Sequence, residues 1–107
     1  MKIPYSLYSK FMAPLQGCEC CKCNRTLESN TAHHIYYRSI KKLLAIVKKN
    51  TLPVCFECHE WFHENKFRAY EWIDDNFPNL RVELCEIEEE IRSKKMKPQE
   101  IYEKWGT

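Results

Sequence analysis

Cys55-Phe-Glu-Cys58-His59-Glu-Trp-Phe-His63 places two thiols at a metal-knuckle spacing directly ahead of two imidazoles four residues apart. A Cys-x-x-Cys turn lets two thiolates face one tetrahedral metal. His59 and His63, at i and i+4, share one face of a helix beginning near Cys58. Thiolates suit zinc, whereas imidazoles with open positions beside them suit a catalytic divalent ion. The fold therefore depends on what the rest of the chain brings to each half.

The partner for the thiols lies upstream, in Cys18-Glu-Cys20-Cys21-Lys-Cys23-Asn24. Two Cys-x-x-Cys registers overlap there, Cys18/Cys21 and Cys20/Cys23. A knuckle commonly needs a residue that tolerates positive φ after its second cysteine, and Asn24 meets that need after Cys23. The preferred quartet is Cys20, Cys23, Cys55 and Cys58, a closed structural zinc site with no open position. Seven cysteines in 107 residues is an odd number. With no export signal in view, zinc in a reducing cytoplasm is expected over a secreted disulfide scaffold.

A chain of 13.0 kDa reads as one domain whose small core calls for a staple. No apolar run approaches the length of a membrane span, so no membrane association is expected. The net charge of +2 divides unevenly. Residues 1–68 carry +6 and contain every histidine, while residues 69–107 carry −4. A positive field around the histidines favours a polyanionic partner, although lysine-rich surfaces are often only solvated.

Tyr5 to Met12 reads as a short helix, and Thr31-Ala-His33-His34-Ile35 as a short strand. Ile40, Leu43, Leu44 and Val47 recur at helical spacing and predict an amphipathic helix from Ser39, ended by Asn50 and Thr51. Leu52-Pro53-Val54 reads as an edge or irregular strand leading into Cys55. Downstream, helices are expected over about 67–76, with Phe67, Tyr70, Trp72, Ile73 and Phe77 inward, and over 80–96, with Cys85 buried. Pro98 and Gly106 bracket a last short helix. The class is α+β.

All four histidines, His33, His34, His59 and His63, fall in two clusters on either side of Asn50. With the cysteines, the run Ala-His33-His34-Ile, Asn50-Thr-Leu-Pro-Val-Cys55, Cys58-His59-Glu-Trp-Phe-His63 resembles the HNH, or ββα-metal (His-Me finger), endonucleases. The cysteines resemble those of the zinc-containing small bacterial and phage members, and the His-His pair with His-x3-His resembles the nuclease colicins. The resemblance covers roughly residues 18–66. It implies a ββα-metal core stapled by the four-cysteine zinc, with further helices at both ends, the carboxy-terminal ones over about 67–107.

By the same resemblance His34 is the general base, and His33, His59 and His63 are ligands of a catalytic Mg²⁺, Mn²⁺, Ni²⁺ or Zn²⁺. Asn50 pins the loop that orients the base or, in some branches, reaches the metal. The implied activity is hydrolysis of DNA phosphodiesters, by nicking, to 5′-phosphate and 3′-hydroxyl ends, in a bacterial or phage-infected cytoplasm. The chemistry agrees: an imidazole has a pKa suited to taking a proton from water near pH 7. Arg38 is placed to clamp a phosphate oxygen. Arg25, Lys41, Lys42, Lys48 and Lys49 are candidate DNA-backbone contacts without sequence readout. The acidic carboxy-terminal helices are left to pack on the core or to bind a protein partner or second copy.

Two other classes compete. His59-Glu60-Trp-Phe-His63 satisfies the His-Glu-x-x-His zinc-protease pattern, with Glu60 as base and Glu71 or Glu83 as third ligand. That reading leaves His33, His34 and Asn50 without a role. The other is a zinc-stapled DNA- or partner-binding module with no active centre.

Overall fold

A computed structural model describes residues 2–15, 19–26, 31–37 and 40–107. Helix α1 (Tyr5–Met12) leads to a 3-10 turn at Ala13–Leu15, and strands β1 (Ala32–His34) and β2 (Thr51–Pro53) follow. Four helices complete the order: α2 (Phe56–Glu64), α3 (Lys66–Asn76), α4 (Leu80–Lys94) and α5 (Pro98–Trp105). The architecture is α+β, a two-stranded antiparallel sheet surrounded by helices. No helix among the described residues is long and apolar enough to cross a membrane.

The sheet pairs Ala32 with Pro53, His33 with Leu52 and His34 with Thr51. Successive strand side chains face opposite ways, so His33 is buried while His34 is only half-buried. Pro53 lacks an N–H, but its carbonyl accepts from Cys21 N–H at 2.8 Å, tying the first knuckle to the sheet. Helix α2 begins at Phe56, two residues ahead of the expected start. Cys55 is its N-cap, the Sγ accepting from Cys58 N–H at 3.5 Å. His59 and His63 thereby sit in the second and third turns.

The segment before β2 departs from the amphipathic helix that the sequence predicts. Two 3-10 turns, Lys42–Leu44 and Lys48–Asn50, occupy it instead. Leu44, Ala45, Ile46 and Val47 are buried in unbroken succession, while Ile40 is 73% exposed. Four consecutive buried positions cannot lie on one face of a surface helix. Asn50 holds the irregular course. Its Nδ2 donates to the carbonyls of Tyr36 (3.0 Å) and Leu44 (3.1 Å), and its Oδ1 accepts from Tyr36 N–H at 2.9 Å. The fully buried amide thus supplies partners to groups that regular structure would otherwise satisfy.

Asn50→Ala would leave those three backbone groups without that partner and should cost about 2–4 kcal/mol in urea denaturation. Asn50→Asp keeps the acceptor but turns an oxygen toward two carbonyls, and should cost as much.

Apolar residues from every helix meet around Ile35, Leu52 and Val54 of the sheet region. Leu84, Ile87 and Ile91 form the inner stripe of α4, and Ile101 and Tyr102 that of α5. Two inward assignments fail for want of phase. Cys85 lies about 100° round the helix from Leu84 and is exposed. Phe67 lies two residues from Ala69, on the opposite face, and is 87% exposed.

Acidic α4 packs over the basic loop. Lys41 Nζ meets Glu88 at 3.0 Å and Lys49 Nζ meets Glu83 at 2.8 Å. The Glu88 side chain is 14% exposed, against 45% for Glu83. Glu88 keeps Arg92 at 3.7 Å, but a shielded carboxylate that loses its nearer partner still costs more than a solvated one. Lys41→Ala should therefore lower the unfolding free energy by about 1–2 kcal/mol, and Lys49→Ala by less than about 0.5 kcal/mol, in urea melts.

Candidate metal centres

The first centre grows from two turns. At the first, Cys20 N–H donates to Arg25 O (2.8 Å) and Asn24 N–H to Cys20 O (2.9 Å), closing a tight loop between the bridged residues Glu19 and Thr26. Asn24 takes φ 64°, the left-handed conformation that its side chain tolerates. The second turn is the capped start of α2. Together they bring one sulfur each of Cys20, Cys23, Cys55 and Cys58 within 4.8 Å of one another.

Cys23 Sγ lies 3.6 Å from Cys55 Sγ. Sulfurs about 2.3 Å from a tetrahedral zinc lie roughly 3.8 Å apart, whereas a disulfide needs about 2.05 Å. The quartet could hold a metal, and its sulfur chemistry and spacing suit a structural zinc. Burial pushes the Cys20 thiol up, but the backbone amides of Cys23, Cys55 and Lys22 outweigh it and bring the pKa down to about 6. Burial and the crowding sulfurs of Cys55, Cys20 and Cys23 push Cys58 well up. Four such groups ionise together only around a cation. Cys21 stands outside the quartet, pushed up to about 11 by burial and by the Cys20 charge. Cys18, of the other register, lies outside the described residues.

The second centre joins sheet to helix. One nitrogen each of His33, His59 and His63 falls within 4.8 Å of the others. The Nε2 atoms of His59 and His63 are 3.0 Å apart. His33 meets those two rings edge-on, at centroid distances of 5.5 and 5.2 Å. Its own face stacks on Phe62 at 4.7 Å, which fixes the ring's plane.

Burial, then the neighbouring His59, His63 and His34, depress His33 to about 3, and burial with His63 lowers His59. Both are therefore neutral near pH 7, the form that binds metal. His33 Nδ1 is buried and has no hydrogen-bond partner among the described residues. That orphaned nitrogen, beside the converging rings of His59 and His63, fits a metal-ligand set of borderline softness.

His34 is outside this trio but shares a cleft with two of its members, His59 and His63. An open cleft of about 930 Å³ is lined by His34, His59 and His63 together with Tyr5, Tyr37 and Lys42. His34 Nε2 lies 3.1 Å from the Ala45 carbonyl. A carbonyl only accepts, so Nε2 carries the proton and Nδ1 carries the lone pair. Asn50 grips the Leu44 carbonyl next door. It thereby braces the loop that carries the Ala45 carbonyl and does not belong to the histidine trio.

Other candidates are dispersed. Arg38 lies outside the described residues. Arg25 is paired with Glu57 (3.4 Å), and Lys41 and Lys49 are held by α4, which leaves Lys42 as the lysine of that set lining the cleft. The third nitrogen beside His59 and His63 comes from His33 on β1. Glu83, offered for that place by the protease pattern, is paired with Lys49. Tyr5, Tyr8 and Lys2 also line the cleft. Nothing in their spacing ties them to histidines at least 25 residues away; only the tyrosines' period of three on α1 hinted at a shared face. In comparisons with protein-family models, curated proteins and solved structures, nothing matches this chain.

Proposed function

We propose that this chain is a divalent-metal-dependent DNA endonuclease with a zinc-stapled ββα-metal core of the HNH kind. The observation that carries the reading is the cleft itself. There an imidazole with its tautomer fixed by a backbone carbonyl shares the cleft with His59 and His63, which converge with the buried His33, on a β1–β2–α2 unit pinned by a buried asparagine.

Phosphodiester hydrolysis needs an activated water, relief of charge on the phosphoryl oxygens and help for the departing 3′-oxygen. His34 Nδ1 takes the water's proton, and the resulting imidazolium is stabilised through Nε2–H by the Ala45 carbonyl. His33, His59 and His63 would hold a divalent cation, which would supply positive charge to the phosphate and the leaving oxygen. Phe62 keeps His33 in place, and Lys42 at the cleft adds attraction for the strand. One such centre per chain nicks, leaving 5′-phosphate and 3′-hydroxyl ends.

The test is a supercoiled plasmid incubated with the protein and magnesium, manganese or nickel ions. Metal-dependent nicking that disappears in His34→Ala and persists in Glu60→Ala is the expected result. DNA retention with no nicking in any metal would instead identify a zinc-stapled binding module. Casein cleavage lost in Glu60→Ala would identify a protease.

A further inference from the structure

The cleft that holds the histidines is walled by aromatic side chains that the hydrolysis does not use. Tyr5 and Tyr8, at i and i+3 on α1, line the cleft; Tyr5 is exposed and Tyr8 half-buried beside Phe11, while Leu7 and Phe11 are buried in the core. Tyr8 lies against His34, at 6.2 Å and 22° between ring planes. Across the cleft Tyr37 packs on His63 at 5.2 Å. Tyr5 is 82% exposed, so a large π-face stands at the rim, with Lys2 and Lys42 also lining the cleft. Aromatic faces interleaved with cations are what unpaired bases and their phosphates bind, because every base has a π-face to stack.

Shape argues the same way. Of the imidazoles lining the cleft, His34 and His59 are half-buried and His63 is exposed, and Tyr8 of α1 stands beside His34. The open cleft of about 930 Å³ has room for a short unpaired stretch. A centre so placed acts on a strand that is already single or has left its stack.

We infer that the substrate of this cleft is an unpaired DNA strand, with Tyr5 stacking a base beside the phosphate presented to His34. This rests on the nuclease reading for its chemistry, but binding alone can test it. A short fluorescein-labelled single-stranded DNA oligonucleotide and its duplex are titrated by anisotropy with the full chain carrying His34→Ala. The single strand should bind more tightly. Tyr5→Ala should reduce that preference roughly tenfold, as expected for one lost stacking platform, and Tyr5→Phe should restore it. Because Tyr5 is exposed, its replacement leaves the core intact, which circular dichroism checks. Equal affinity for both forms, or a preference indifferent to Tyr5→Ala, would overturn the inference and leave the nuclease reading standing. Failure of the wild-type chain to cut either form with any of the three metals would overturn that reading separately.

Discussion

Cys23→Ser should leave the protein without its zinc and without a stable fold. Cys23 is the exposed member of the quartet, so its replacement removes a ligand and almost no packing. Cys55→Ser should have the same outcome for a separable reason. Cys55 caps α2, but serine is itself a good N-cap, so the cap survives and the thiolate does not. Structural zinc contributes about 10–16 kcal/mol of binding free energy, as much as or more than the net stability of about 5–15 kcal/mol typical of a domain. Either substitution should therefore abolish the cooperative thermal transition and the near-ultraviolet circular dichroism, and a strong chelator should do the same to the wild type. Cys21→Ser is the control. Cys21 is outside the quartet, and its replacement should keep one structural zinc per chain by elemental analysis. Loss of that zinc in Cys21→Ser, with retention in Cys23→Ser, would move the site to the other cysteine register.

The contrast between those cysteines shows what a sequence can say about such a site. Ligand spacing is local: a two-residue gap and an asparagine able to take positive φ point to Cys20 and Cys23, because both features are settled within one turn. The strands around His33 and Leu52 and the helices after Cys55 were equally legible from β-branching, proline and apolar period. The stretch from Ile40 to Val47 was not. Its apparent period is produced by residues of which one, Ile40, faces solvent, while its real course follows from an amide at position 50 bonding backward to Tyr36 and Leu44. Free and occupied lysines were indistinguishable too. Lys41 and Lys49 find their carboxylates more than thirty residues on, in α4. The aromatic wall likewise arises because α1 packs beside the cleft, a tertiary fact with no trace in the spacing of the histidines.

His34→Ala should reduce DNA cleavage by about 10²–10⁴-fold, the usual worth of a positioned general base. Its effect on structure should be small. The ring is half-buried, and the described contacts that its loss forfeits include the hydrogen bond to the Ala45 carbonyl, worth about 1 kcal/mol, and the contact with Tyr8. Metal content should be unchanged, because His34 stands outside the trio. His33→Ala should abolish cleavage by a different route. It removes a ligand, opens a void against Phe62, and should lower the second metal's stoichiometry while the zinc of the cysteines remains. The two variants thus separate proton transfer from metal binding: one is loaded and slow, the other empty. Imidazole added to the buffer should partly restore the first and not the second, since a small base can enter an open cleft of this size but cannot replace a ligand held by the strand. If His34→Ala cut DNA at the wild-type rate with its metal in place, the proton would have to leave through another group, and the assignment of the base would be wrong.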